Sequence, residues 1–72
     1  MNEILASMAG TVFQILVKDG EQVDQGQPLI VLESMKMEIP VESEQAGVIK
    51  KVHVSEGDFV NEGDLLITLS SE

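Results

Sequence analysis

A chain of 72 residues, 43% of them apolar, supports one small domain over residues 1–72 that buries only about 60% of its unfolded surface. It has no cysteine and a single histidine, His53, which removes disulfides, thiolate zinc sites and histidine-pair metal sites and argues against a Ser-His-Asp triad. A net charge of −9 with no arginine argues against a nucleic-acid partner, because phosphate contacts need clustered Lys and Arg. No apolar run approaches the roughly 18 residues of a membrane span, and nothing resembles a signal peptide, so a cytoplasmic protein with no membrane partner is expected.

In chain order, the first apolar stretch steps unevenly. From Val12 to Ile15 the step is three residues, and from Ile15 to Val17 it is two. Strict strand alternation gives steps of two, so a strand with a β-bulge at Phe13-Gln14 is predicted. Lys18-Asp19-Gly20 supplies a turn in which glycine is free to take positive φ, a short strand around Val23 follows, and Asp24-Gln25-Gly26 repeats the device. Leu29-Ile30-Val31-Leu32 is the next strand. The run Glu33-Ser34-Met35-Lys36-Met37-Glu38 then separates it from Ile39-Pro40-Val41. A charged residue between two apolar strands reads as the tip of a hairpin, with Lys36 pointing into solvent on a short, rigid turn.

From Ala46 the pattern starts again. With an offset of 37, ten of the 26 pairs from Ala9 to Ser34 are identical, among them Gly10 with Gly47, Val23 with Val60, Gly26 with Gly63, Leu32 with Leu69 and Ser34 with Ser71. Ile49, Val52 and Val54 repeat the uneven step of the first half, which predicts a second bulge at Lys50-Lys51, and Ser55-Glu56-Gly57 and Asn61-Glu62-Gly63 repeat the turns. Two copies make a pseudo-symmetric fold and not a solenoid. Gly or Pro interrupts every candidate helix. The fold class is therefore all-β: two four-strand units closing as a flattened barrel around Val12, Ile15, Val17, Val23, Ile30, Leu32 and their counterparts. Glu3 to Ala6 and Leu65 to Leu69 should meet at one end, with the central hairpin at the other.

The methionines at the tip are out of place, since solvated turns favour Asn, Asp, Gly or Ser. Two flexible, polarizable side chains beside one amine suggest a surface that another protein reads. Glu33-Ser34-Met35-Lys36-Met37 resembles the biotin-attachment motif of the biotinyl/lipoyl attachment domain family, in which Glu, a small residue, Met, Lys and Met occur in this order. The resemblance covers residues from about Ala6 to Leu69 and includes the glycine spacing. It implies a barrel-sandwich of about eight strands with a pseudo-twofold axis, covalent biotin on Lys36, and recognition roles for Met35, Met37 and Glu33. The shortness of the chain and its own Met1 further resemble the small free-standing attachment proteins of bacteria. Some family members insert a thumb loop in the first half, for which this chain has no room.

A free lysine amine is neutral in roughly one molecule in a few thousand at pH 7, so the chain cannot acylate itself. The implied partners are a biotin protein ligase that supplies a base and activated biotin, a biotin carboxylase, and a carboxyltransferase. The protein would be a carrier and not an enzyme, and a monomer when isolated. Its acidity suits transient docking on basic rims and equally suits plain solubility. Ser34 reads as a small turn residue, because phosphopantetheine carriers use a serine at a helix start. Glu38 and His53 read as surface residues. The rival readings are a lipoyl carrier, whose hairpins carry an acidic residue where Met35 stands, and an unmodified adaptor, which would need no lysine at position 36. The free-standing relatives leave lipoyl possible.

Overall fold

Each half of the repeat folds as the same succession of bulged strand, turn, short strand, turn and long strand. The computed structural model describes residues 2–70; Met1, Ser71 and Glu72, and with Ser71 the last pair of the repeat, lie outside them. In chain order the strands are β1 (Asn2–Leu5), β2 (Gly10–Ile15), β3 (Gln22–Val23), β4 (Pro28–Ser34), β5 (Met37–Glu42), β6 (Gly47–Val52), β7 (Phe59–Val60) and β8 (Leu65–Ser70). They form two antiparallel sheets, ordered β1-β8-β6-β3 and β5-β4-β2-β7.

The halves therefore do not form one sheet each. The short strands cross over, β3 pairing with β6 and β7 with β2, so every sheet contains strands from both copies. The offset of 37 still maps one sheet onto the other, strand for strand. It extends to single hydrogen bonds. Gly20 N–H donates to the Ile49 carbonyl at 2.7 Å, and Gly57 N–H to the Val12 carbonyl at 2.8 Å. At both bulges a carboxylate from the opposite half accepts a backbone N–H at 2.9 Å, Glu56 from Ile15 and Asp19 from Val52. The register shifts fall between Val12 and Gln14 and between Ile49 and Lys51, where the uneven spacing predicted them.

The core lies between the sheets and contains Val12, Val17, Val23, Ile30 and Leu32 with Ile49, Val60, Ile67 and Leu69, all buried. Ile15, Val52 and Val54 only pack against its margin. Leu29 and Leu66, both fully buried, join the core beside Ile30 and Ile67. Register shifts between Pro28 and Ile30 and between Ile4 and Leu5 disturb alternation there, letting consecutive residues face inward. Ser43 is the one buried polar residue among those described. Its hydroxyl donates to the Gln45 carbonyl, which satisfies it. β1 and β8 pair from Asn2–Leu69 to Leu5–Leu65. Under the repeat Glu33, beside the hairpin tip, corresponds to Ser70, so the symmetry exchanges the tip with the chain ends along a body measuring 36 × 18 × 18 Å.

Candidate functional site

β4 and β5 zip together in register from Ile30–Val41 to Ser34–Met37, leaving Met35 and Lys36 as a two-residue loop. Their φ angles are 52° and 64°, so both central residues are left-handed, the pattern of a type I′ hairpin turn. Such turns normally take Asn-Gly, because a side chain with a Cβ pays about 1–2 kcal/mol in this region. The tip holds the conformation because the structure beneath it over-determines the loop. β4 is paired on its other side with β2, and Gly10 opens β2 against the foot of the hairpin. A Cβ at Gly10 would stand 2.8 Å from the Glu33 carbonyl oxygen, closer than any side chain can approach.

The four residues singled out from the sequence come together on this tip. Lys36 is exposed, Met35 is 89% exposed and Met37 57%, so neither methionine is core filler. Glu33 is exposed and lies directly opposite Glu38 across the β4–β5 ladder. Like charges so placed oppose folding slightly, and here they put two carboxylates on one face beside the lysine. Ser34 is half-buried, its Cβ 3.5 Å from where a Gly10 Cβ would be. His53 is exposed just past the end of β6, with Nε2 2.7 Å from the Thr68 hydroxyl of β8. Gly10 supports the foot of the tip and was not singled out from the sequence. Its only signal is a glycine at a strand start, repeated at Gly47, where no turn requires one.

No group of three or more His, Cys, Asp or Glu among the described residues is placed to hold a metal ion. An open groove of about 740 Å³ runs between β1 and β5, lined by Ile4, Leu5, Val41 and the carboxylates Glu3, Glu42 and Glu44 among others, and none of Glu33 to Glu38 borders it. The tip displays an exposed amine, that of Lys36.

A family model described as "Biotin-requiring enzyme" matches residues 2–69. The chain belongs to this biotin/lipoyl family. The biotin/lipoyl attachment protein of Bacillus subtilis is 52% identical over 41 residues, 57% of this chain and 56% of that protein. A single-chain, multi-domain long-chain acyl-CoA carboxylase superposes with a TM-score of 0.87 at 33% identity, over 92% of this chain and 7% of the carboxylase. The lipoyl domain of the 2-oxoglutarate dehydrogenase complex from Azotobacter vinelandii gives 0.74 at 35% identity, over 86% of this chain and 78% of that domain. The match thus spans just over half of the attachment protein and a small fraction of the carboxylase.

Proposed function

We propose that Lys36 is the attachment residue and that the protein is a biotin carboxyl carrier. The observation that carries this reading is the left-handed Met35-Lys36 loop, which presents one of the four lysines on a fixed apex between two exposed methionines. Lys18 lies beside a glycine turn, and Lys50 and Lys51 lie on β6. The exposed Nζ fits an amide linkage and needs no cradle. Biotin so linked would supply a ureido nitrogen able to accept and release a carboxyl group.

The chain's own residues hold, orient and present. Gly10 and the β4–β5 ladder fix the direction of the Lys36 stem, and Met35 and Met37 offer adaptable apolar contact to several partners. A rigid post with a long arm turns encounter with each active site into a local search at high effective concentration. The partners are a biotin protein ligase, a biotin carboxylase and a carboxyltransferase. Residues 1–72 act as one cytoplasmic carrier domain, monomeric when isolated.

A lipoyl carrier is the second reading, favoured by the likeness to the Azotobacter lipoyl domain at 0.74. Met35 stands against it. Intact mass after co-expression with biotin ligase, and separately with lipoate ligase, separates the two. Biotin label alone supports the proposal, and lipoyl label alone refutes it.

A further inference from the structure

The pseudo-twofold provides an internal control for the surface. Residues 37 apart occupy equivalent places in the two sheets, so a side chain that only the fold requires should have a similar counterpart. The core obeys this: Val12 matches Ile49, Val23 matches Val60, and Leu32 matches Leu69, all buried. The two phenylalanines, the chain's only aromatic residues, do not. Phe13 corresponds to Lys50 and Phe59 to Gln22. Both are outside the core, 48% and 66% exposed. Their neighbours Val12 and Val60 are buried, so both rings stand on the outer face of the β5-β4-β2-β7 sheet.

Across that face Glu38, Glu33, Thr11 and Phe59 are paired in register, one from each strand. Phe59 therefore lies two strands from Glu33, about 10 Å at ordinary strand spacing. Phe13 follows two residues after Thr11 on β2. Two exposed carboxylates and two exposed rings thus form one surface that adjoins the Met35-Lys36 tip. The equivalent row on the other sheet is Ser70, Val48 and Gln22, without charge or aromatic ring. The other half of the repeat folds without a ring at either matched position, and exposed apolar surface of this kind marks a site of contact.

We propose that this face is the docking surface for the biotin ligase, and that it directs the ligase to Lys36; the proposal rests on Lys36 being the attachment residue. An enzyme acylating Nζ must bring its active site to the hairpin and cover the tip. A standard interface takes about 800 Å² per partner, a disc of roughly 16 Å radius, which reaches Phe59. Enzymes that act at the far end of an attached arm can stand further off. The ligase surface that fits is an apolar pocket for the two rings, rimmed by Lys or Arg facing Glu33 and Glu38: aromatic anchors supply affinity, and the charges supply orientation.

Initial rates of labelling by a bacterial biotin ligase with biotin and ATP test this on the intact chain. Phe13→Lys and Phe59→Gln install what the repeat already carries at the equivalent positions, so the fold has a precedent for both. The double variant should raise KM by about tenfold or more, the scale of a lost hot spot, with kcat and thermal midpoint little changed. Phe59→Gln alone gives the same comparison with a smaller perturbation. A readout independent of turnover uses Lys36→Arg protein as competitor: it should inhibit labelling of the wild type, and adding F13K and F59Q should remove the inhibition. Folded variants with unchanged KM and unchanged competition overturn the docking surface. So does slower carboxylation of attached biotin with normal labelling, which gives the face to the carboxylase, or a dimer dispersed by F59Q, which gives it to a second copy. A wild-type chain left unlabelled at Lys36 overturns the attachment reading, and this proposal with it.

Discussion

The chain makes left-handed turns in two ways. At Gly20, Gly26, Gly57 and Gly63, φ lies between 83° and 97°, and glycine adopts this without steric cost. A Cβ at any of them would meet nothing within 4 Å, so the choice of glycine there is conformational. Side chains brace these turns: Glu21 accepts from Lys18 N–H, Gln27 from Asp24, Asp58 from Ser55 and Asp64 from Asn61. At the β4–β5 tip the same region is occupied by Met35 and Lys36. Four turns use glycine where only shape matters, and the fifth does without it. The tip accepts strain in order to keep two specific side chains, as functional sites often do.

Breaking that comparison most severely means removing the amine. Lys36→Arg should accept no biotin, since guanidinium stays protonated, and Lys18, Lys50 and Lys51 should not substitute for it. Peptide-level mass spectrometry after exposure to ligase would detect label moving to any of them.

The next largest effect is on the foot of the hairpin. Gly10→Ala drives a methyl into the Glu33 carbonyl at 2.8 Å, and such overpacking costs about 1–3 kcal/mol. Denaturant melts would measure it. Gly20→Ala, in open space but at φ 88°, should lose stability through backbone strain of about 1–2 kcal/mol. Gly10→Ala alone should also slow labelling of Lys36, because it displaces the hairpin.

Relieving the tip should do the reverse. Replacing Met35-Lys36 with Asn-Gly supplies the preferred type I′ pair and should stabilise the fold by about 1 kcal/mol, roughly 4–8 °C in Tm for a domain this size. No gain in calorimetry would mean that the loop is unstrained.

The smallest effect is expected from Met35→Ala and Met37→Ala. Exposed at 89% and 57%, they should change stability by less than about 0.5 kcal/mol while slowing carboxylation of attached biotin. A loss of several kcal/mol would place them in the packing and refute their recognition role.

Much of this contrast is legible in the sequence. The Val12-Ile15-Val17 spacing gives the bulge, the offset of 37 gives the pseudo-symmetry, and Lys36 between apolar strands gives the apex. The crossing of β3 and β7 into opposite sheets is not legible, since two-residue strands carry no pairing preference of their own. Nor is the left-handed backbone at Met35 and Lys36, because tertiary clamping overrides the local signal that Asn-Gly would have given. The close approach of Gly10 to Glu33 depends on strand register, which no single segment encodes. The exposure of Phe13 and Phe59 runs against the expectation that aromatic residues fill a core.

The central claim concerns position and not only residue type. Exchanging neighbours, as Met35→Lys with Lys36→Met, or Met37→Lys with Lys36→Met, leaves composition and charge unchanged and moves the amine off the apex. The mass of each folded variant after exposure to biotin ligase tests the claim most directly. Little or no biotin on either, beside full labelling of the wild type, is the predicted result. Efficient labelling of a shifted lysine would show that the ligase reads sequence or mere exposure, and would contradict the account of a fixed apex.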